Sequence, residues 1–312
     1  MADKTGISWA DGTLNFWVGC TKVSVGEKGA CVNCYAETWS KRFPAFRDTW
    51  GAGAPRVKTK GALAKARGME RKAREWGRPY FCFSNSLSDI FDNEVPIEWL
   101  AEAFDIMRQT PHVIYLLLTK RGNFLKRVQE AGGLPPNAAL GMTMVTQDEV
   151  DQHAPSLAIA AGALKPAFTF ISIEPMMEEI DLTRISTLRF KGAEIYNALT
   201  GDLSGLFGEP SGHAPKIDWV IVGFESGPNA RVPNPFWARQ VRDQCARTSA
   251  VFHFKQHGEW APDDVGEPHA GHRTVVIEDG SPEGQVMFRL GTKNTGRLLD
   301  GVVHDARPHV AS

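Results

Sequence analysis

The chain has 312 residues, 42% of them hydrophobic, and a formal net charge of −1. That length buries a sizeable core in one large domain or two smaller ones, and the near-neutral balance excludes a global pull toward nucleic acid, so any basic patch must be local. The longest aliphatic runs, such as 113 to 118, are too short to span a bilayer, and the first residues lack an apolar targeting segment, so a cytoplasmic protein without membrane contact is expected.

Five cysteines without framework spacing suit a reducing compartment and a metal role. Residues 7 to 19 form an apolar, strand-like run that ends in Gly19 and Cys20 and leads into a loop bearing Gly26, Gly29, Cys31 and Cys34. The C-x-x-C pair lets two sulfurs reach one metal centre or cluster, and a third thiolate on a glycine-bearing loop can fold back onto it. Three thiolates leave one iron of an iron–sulfur cluster open to chemistry. A closed structural zinc site is the alternative, and it needs Cys82 or a distant histidine as fourth ligand, since the first histidine is His112. Cys82 and Cys245 fall inside an apolar strand and a helix and read as buried hydrophobes.

A helix is expected from Tyr35 to Phe43, with its N-terminus toward the metal. Residues 56 to 78 then carry Arg56, Lys58, Lys60, Lys65, Arg67, Arg71, Lys72, Arg74 and Arg78 against only Glu70 and Glu75. This reads either as a phosphate-contacting helix, with Trp76 placed to stack, or as a solvated helix face.

From here apolar strands alternate with helices. Strands are expected over 80–84, 113–118, 138–145, 168–173, 219–224 and 251–254, and helices over 96–108, 124–131, 150–161 and 235–248. With the run before Cys20, about seven strands point to an α/β protein with a partial or complete parallel (β/α) barrel. Polar residues gather at the strand ends: Ser84, Asn85 and Asp89; Thr119 and Lys120; Thr143 and Thr146; Ser172 and Glu174; Glu225 and Ser226; Lys255 and Gln256. In parallel barrels that end of the strands builds the site. The barrel domain is placed at 1–258, with 183–217 as an insertion or lid, and 259–312 as an extension packed on it. That extension contains a β-hairpin of 275–277 and 285–289 around a loop at 279–284. Its histidines, His269, His272, His304 and His309, are too irregularly spaced for a metal motif.

The motifs Asn15-Phe-Trp-Val-Gly-Cys20, Cys31-Val-Asn-Cys34, Ser86-Leu-Ser-Asp89, Leu118-Thr-Lys-Arg121, Ile173-Glu-Pro175, Gly223-Phe-Glu-Ser-Gly-Pro228, Phe254-Lys-Gln256 and Gly296-Arg-Leu-Leu-Asp-Gly301 resemble a family of bacteriophage and prophage proteins, over nearly the whole chain. That family is in turn similar to radical S-adenosylmethionine (SAM) enzymes. The resemblance implies a barrel of radical SAM type and a 4Fe-4S cluster held by Cys20, Cys31 and Cys34. It implies SAM bound by Ser84, Asn85, Ser86, Asp89, Glu225, Ser226 and Arg231, and substrate met by Lys120, Glu174, Lys255 and Gln256. An electron donor of flavodoxin or ferredoxin type is implied as a partner. The first cysteine gap is ten residues, where radical SAM enzymes usually show three, and Asn33 stands where an aromatic usually precedes the last cysteine.

Three functions stay open at this point: a radical SAM enzyme acting on a nucleotide or DNA base, reached through Arg56, Lys58, Lys65, Arg67, Arg71, Lys72 and Arg74; a radical SAM enzyme acting on a small metabolite or peptide; and a metal-stabilised nucleic-acid-binding protein without catalysis.

Overall fold

The computed structural model describes residues 5–192, 194–265, 271–278 and 284–310. Seven strands form one sheet in chain order: β1 (Gly12–Thr13), β2 (Tyr80–Ser84), β3 (Val113–Thr119), β4 (Ala138–Thr143), β5 (Thr169–Ile173), β6 (Trp219–Val222) and β7 (Val251–Phe254). The pairs β1–β2, β2–β3, β3–β4 and β6–β7 run parallel. Helices α1 (Tyr35–Ser40) and α2 (Ala62–Trp76) lie between β1 and β2, followed by α3 (Ile97–Arg108), α4 (Phe124–Glu130) and α5 (Gln147–Leu164) after successive strands, and α6 (Pro235–Ala246) before β7. A strand order that never reverses is the pattern of a (β/α) barrel rather than a doubly wound sheet, so the expected α/β class with an incomplete parallel barrel is the one observed. β2, β4 and β5 are buried at every position, as strands covered on both faces must be.

The chain divides into two compact units, Met1–Thr143 with Ser156–Phe170 and His309–Ser312, and Met144–Pro155 with Ile171–Pro308. In the first unit Trp9 packs on Phe83, 4.6 Å between centroids, and on Phe170 at 6.4 Å. Asn137 donates its side-chain amide to the carbonyls of Met107, Thr110 and Val113, tying the end of α3 to the start of β3.

The run over residues 7–19 is not one strand. Gly12–Thr13 joins the main sheet, whereas Trp17–Val18 pairs antiparallel with Val57–Lys58. The cause lies between them. The Asn15 side chain reaches Ser86 Oγ (3.0 Å) and the Leu87 N–H (2.7 Å), and the Phe16 N–H donates to Asn85 Oδ1 (3.0 Å), so side chains replace the ladder there.

In the second unit, residues 183 to 217 contain four short antiparallel strands of two to four residues, too brief to show a period in sequence. The expected hairpin pairs Val275 with Met287 and Ile277 with Gln285, and Trp260–Pro262 adds a third strand beside it. Residues 279–283 of its loop, and His269, lie outside the described residues.

Candidate functional site

In the first unit the site is built on the ends of β1 and β2. Gly19 has φ +112°, and a Cβ there would stand 2.4 Å from the Thr49 carbonyl oxygen, so only glycine carries the chain into Cys20. Behind Cys20 lies a buried charge cluster. Arg56 donates from Nε to Asp92 (2.8 Å), from Nη2 to Thr21 Oγ1 (2.7 Å) and from Nη1 to the Ala54 carbonyl (2.7 Å). Arg121 donates from Nη2 to the other Asp92 oxygen (3.1 Å) and to the Thr21 carbonyl (3.1 Å). Thr21 Oγ1 in turn donates to Glu94 (2.7 Å). The Arg56 and Asp92 side chains are each 1% exposed, so two guanidinium groups share one buried carboxylate and between them hold the Cys20–Thr21 turn. Burial, with Asp89 and Asp92 beside it, pushes the Cys20 thiol up to about 12, and the Arg121 guanidinium works in the opposite direction.

Cys34 precedes α1 as its N-terminal flanking residue, and Tyr35 after it donates its hydroxyl to the Ser86 carbonyl (2.7 Å), fastening the cysteine helix to the loop after β2. Lys22 pairs with Glu37 at 2.7 Å. The Lys22 ammonium is raised by that carboxylate chiefly, and also by the fields of Cys34 and Cys31.

The expected convergence of three cysteines is not what is seen. Among the described residues no three His, Cys, Asp or Glu side chains are gathered as a metal group. The intervening loop closes on itself instead: Ala30 N–H reaches Ser24 Oγ and Cys31 N–H the Ser24 carbonyl, both at 2.9 Å. Cys20 therefore keeps company with Asp89, Asp92 and Arg121, and Cys31 and Cys34 with Lys22. In donor chemistry the set still fits a thiophilic cluster. It consists of three sulfurs, the atom type that such a cluster takes as ligand. Of the alternative fourth ligands, Cys82 is fully buried inside β2 and His112 Nδ1 meets Glu70 at 2.5 Å.

Of the residues expected to hold SAM, Ser84 and Asn85 end β2 and are buried. Asn85 uses its oxygen on the Phe16 N–H, but its amide Nδ2 is buried without a hydrogen-bond partner, an orphaned donor at the strand end. Thr143 Oγ1, at the end of β4 in the same unit, is orphaned likewise. Asp89 is already occupied. It accepts from Thr119 Oγ1 (2.8 Å), Lys120 N–H (3.0 Å) and Phe91 N–H (2.9 Å), and so staples the β2 loop to the end of β3.

In the second unit, Lys255 pairs with Glu174 at 3.0 Å, and Ser172 Oγ donates to the other Glu174 oxygen at 3.0 Å. Gly223 makes room for them: a Cβ there would lie 2.9 Å from Glu174 Oε1 and 3.2 Å from Lys255 Cβ. Glu225 takes the Arg231 backbone N–H (2.9 Å) and two guanidinium N–H groups (2.9 and 2.6 Å). Gln256 donates to the Phe224 carbonyl and faces Ser226 Oγ at 3.5 Å. The C-terminal extension supplies the braces. Glu259 accepts from Gly227 N–H and Thr292 Oγ1, and Arg297 donates to the Lys255 carbonyl.

Sequence reasoning missed Tyr35, Asp92, Arg121 and Arg297 as site-building residues, and it placed Arg56 on a nucleic-acid surface when it is a buried strut. Asn15 and Arg121 stood inside quoted motifs; Asp92 carried no local signal.

A thiol-bearing loop after the first strand of a chain-order parallel sheet defines the class of the protein as an α/β partial-barrel protein. The chain belongs to the family described as "Protein of unknown function (DUF5131)", which matches residues 4–308. No curated protein matches the sequence. Among solved structures, the chain is similar to spore photoproduct lyase complexed with dinucleoside spore photoproduct (TM-score 0.40, 8% identity, 88% of this chain and 67% of that one). It is also similar to a double mutant of spore photoproduct lyase with bound AdoMet and the dinucleoside (TM-score 0.38, 10% identity, 89% and 68%). Among the described residues no helix is long and apolar enough to cross a membrane.

Proposed function

We propose that the protein is a radical SAM enzyme acting on a nucleotide or a DNA base, with Cys20, Cys31 and Cys34 as ligands of a 4Fe-4S cluster. The observation that carries this reading is the pairing, within one unit, of a three-thiol loop with the β2 end, fastened by Asn15 and Tyr35, where Asn85 presents a buried amide donor with no partner. A cluster held there would supply the electron for reductive cleavage of SAM to methionine and a deoxyadenosyl radical.

The rest is the work of the chain's own groups. The Asn85 amide and the Thr143 hydroxyl bind the polar end of SAM, an unpaired buried donor being the group a ligand carboxylate satisfies best. Asp89 positions Thr119 and Lys120 rather than touching ligand. Arg56, Asp92 and Arg121 fix the Cys20 turn. In the second unit the Lys255–Glu174 pair, with part of each side chain open to solvent, binds substrate, and Arg231 and Gln256 hold the loop after β6. The electron would come from a donor of flavodoxin or ferredoxin type.

The test is anaerobic incubation of the iron- and sulfide-loaded protein with SAM and dithionite, measuring deoxyadenosine. Formation in the wild type and loss in Asn85→Ala, with the cluster retained, supports the reading. No deoxyadenosine from fully loaded wild type rejects it.

A further inference from the structure

Nine basic and two acidic residues fall within 56–78, leaving 26 Lys and Arg against 34 Asp and Glu for the rest of the chain. The structure sorts this excess. Arg56 is buried behind Cys20 and is not presented for binding, and Lys58 is bonded at the surface to Glu102 of α3. Of what remains, Lys65, Arg67, Arg71, Lys72 and Arg74 lie on α2, with Lys60 just before it and Arg78 just after. The buried positions of α2 are Ala66, Glu70 and Ala73, and Arg67, Arg71 and Arg74 repeat at the same i, i+4, i+7 interval one residue further round the helix, continued by Arg78 just past its end. At 1.5 Å per residue the row runs roughly 16 Å.

The row is exposed yet held in place. Arg74 is 64% exposed and bonds through Nε to Glu70 (3.0 Å), which His112 fixes in turn. Arg78 is 49% exposed, makes a two-point contact with Asp11 (3.0 and 3.1 Å) and lies over the Trp76 ring at 4.7 Å. Arg71 is 71% exposed, with Glu75 at 3.8 Å as a loose neighbour. A guanidinium has five N–H donors, so Arg74 and Arg78 keep donors for a second partner, already oriented, and Arg71 keeps its own.

We infer that this edge of α2 is a docking face for the phosphate backbone of duplex DNA. A straight, evenly pitched row of planar forks suits regularly spaced phosphates better than an irregular acidic protein surface. Single strands call for several open aromatic platforms, and here there is one, Trp76, 47% exposed but already stacked on Tyr80 at 5.3 Å and with Arg78 4.7 Å from its centroid. A helix edge can follow the backbone of a wide B-form major groove, whereas the A-form major groove of duplex RNA is deep and narrow. The inference deepens the nucleic-acid part of the proposed function. It is tested without cluster turnover, so either can fail alone.

The experiment is fluorescence anisotropy of a short mixed-sequence DNA duplex titrated with the full-length protein at several salt concentrations, for wild type, Arg67→Gln/Arg71→Gln and the control Lys126→Gln on the exposed face of α4. Neither mutated arginine has a buried partner, so folding is kept and is checked by circular dichroism. Wild-type binding should weaken with salt. The double variant should lose roughly tenfold in affinity, with a log–log salt slope smaller by about 2, and Lys126→Gln should match wild type. No salt-dependent binding by the wild type, equal losses in double variant and control, or tighter binding of a duplex RNA of the same sequence would overturn the inference.

Discussion

Arg56 and Arg67 stand eleven residues apart in one basic run, yet they end in opposite places. Arg56 is sealed beside Asp92 with every donor direction answered by carboxylate, hydroxyl or carbonyl, whereas Arg67 opens a row of exposed guanidinium groups along α2. The contrast teaches that a local charge excess is not one feature. Part of it is internal bracing, bought by desolvating a carboxylate, and only the remainder is presented to partners. Charge alone does not separate the two; burial of the guanidinium beside its counter-ion does, 1% exposed at Arg56 against 64% at Arg74.

The sharpest way to break this comparison is to remove that counter-ion. Asp92→Ala strands two buried arginines, and losing one partner of a buried pair costs about 3–5 kcal/mol, a large share of the stability of a typical domain. Urea unfolding should show it; a loss under 1 kcal/mol would mean that Arg56 and Arg121 find other partners. Next in size is Gly19→Ala, which forces a side chain into a positive φ against the Thr49 carbonyl and should cost on the order of 1–3 kcal/mol. Maleimide labelling of Cys20 in that variant should speed up as its turn opens, and an unchanged rate would show that Gly19 does not set the turn.

Acid probes the second unit. His253 is pushed down to about 3 by burial, with Arg297 and Arg307 adding to it, and burial lowers His257 as well. Both are neutral in the folded chain, so their contribution is whole above the ordinary histidine value of about 6.5 and is lost progressively as pH falls from there toward 3, where the unfolded chain takes protons the folded one refuses. Thermal melts over that window should fall with pH, and His253→Phe should flatten the decline. At the small end, Arg67→Gln/Arg71→Gln should leave the urea midpoint within about 0.5 kcal/mol of wild type, because exposed pairs contribute little. A larger loss would make the α2 edge structural bracing too.

Much of the fold was legible because strands such as 113–118 and 219–222 are short, continuously apolar and bounded by polar turns. The two-residue strands at 185–186 and 195–196 were not, since they carry no period and form only by pairing with other short strands, 185–186 with 195–196 and 195–196 with 202–204. At the site, the strand-end polar residues could be named, but not which were already engaged. Asp89 looks like a ligand group in sequence and proves to be a staple for Thr119 and Lys120. The Arg56–Asp92 bond joins residues thirty-six apart, a distance over which neither periodicity nor motif reaches.

The central claim is that Cys20, Cys31 and Cys34 act as one ligand set although the loop between them closes on itself. Anaerobic reconstitution with iron and sulfide, followed by Mössbauer spectroscopy and iron and sulfide analysis, tests it most directly. The account predicts one 4Fe-4S cluster per wild-type chain and none in Cys20→Ala, Cys31→Ala or Cys34→Ala, with Cys82→Ala unaffected. A wild-type chain that assembles no cluster, or a Cys20→Ala chain that keeps it, would contradict the claim.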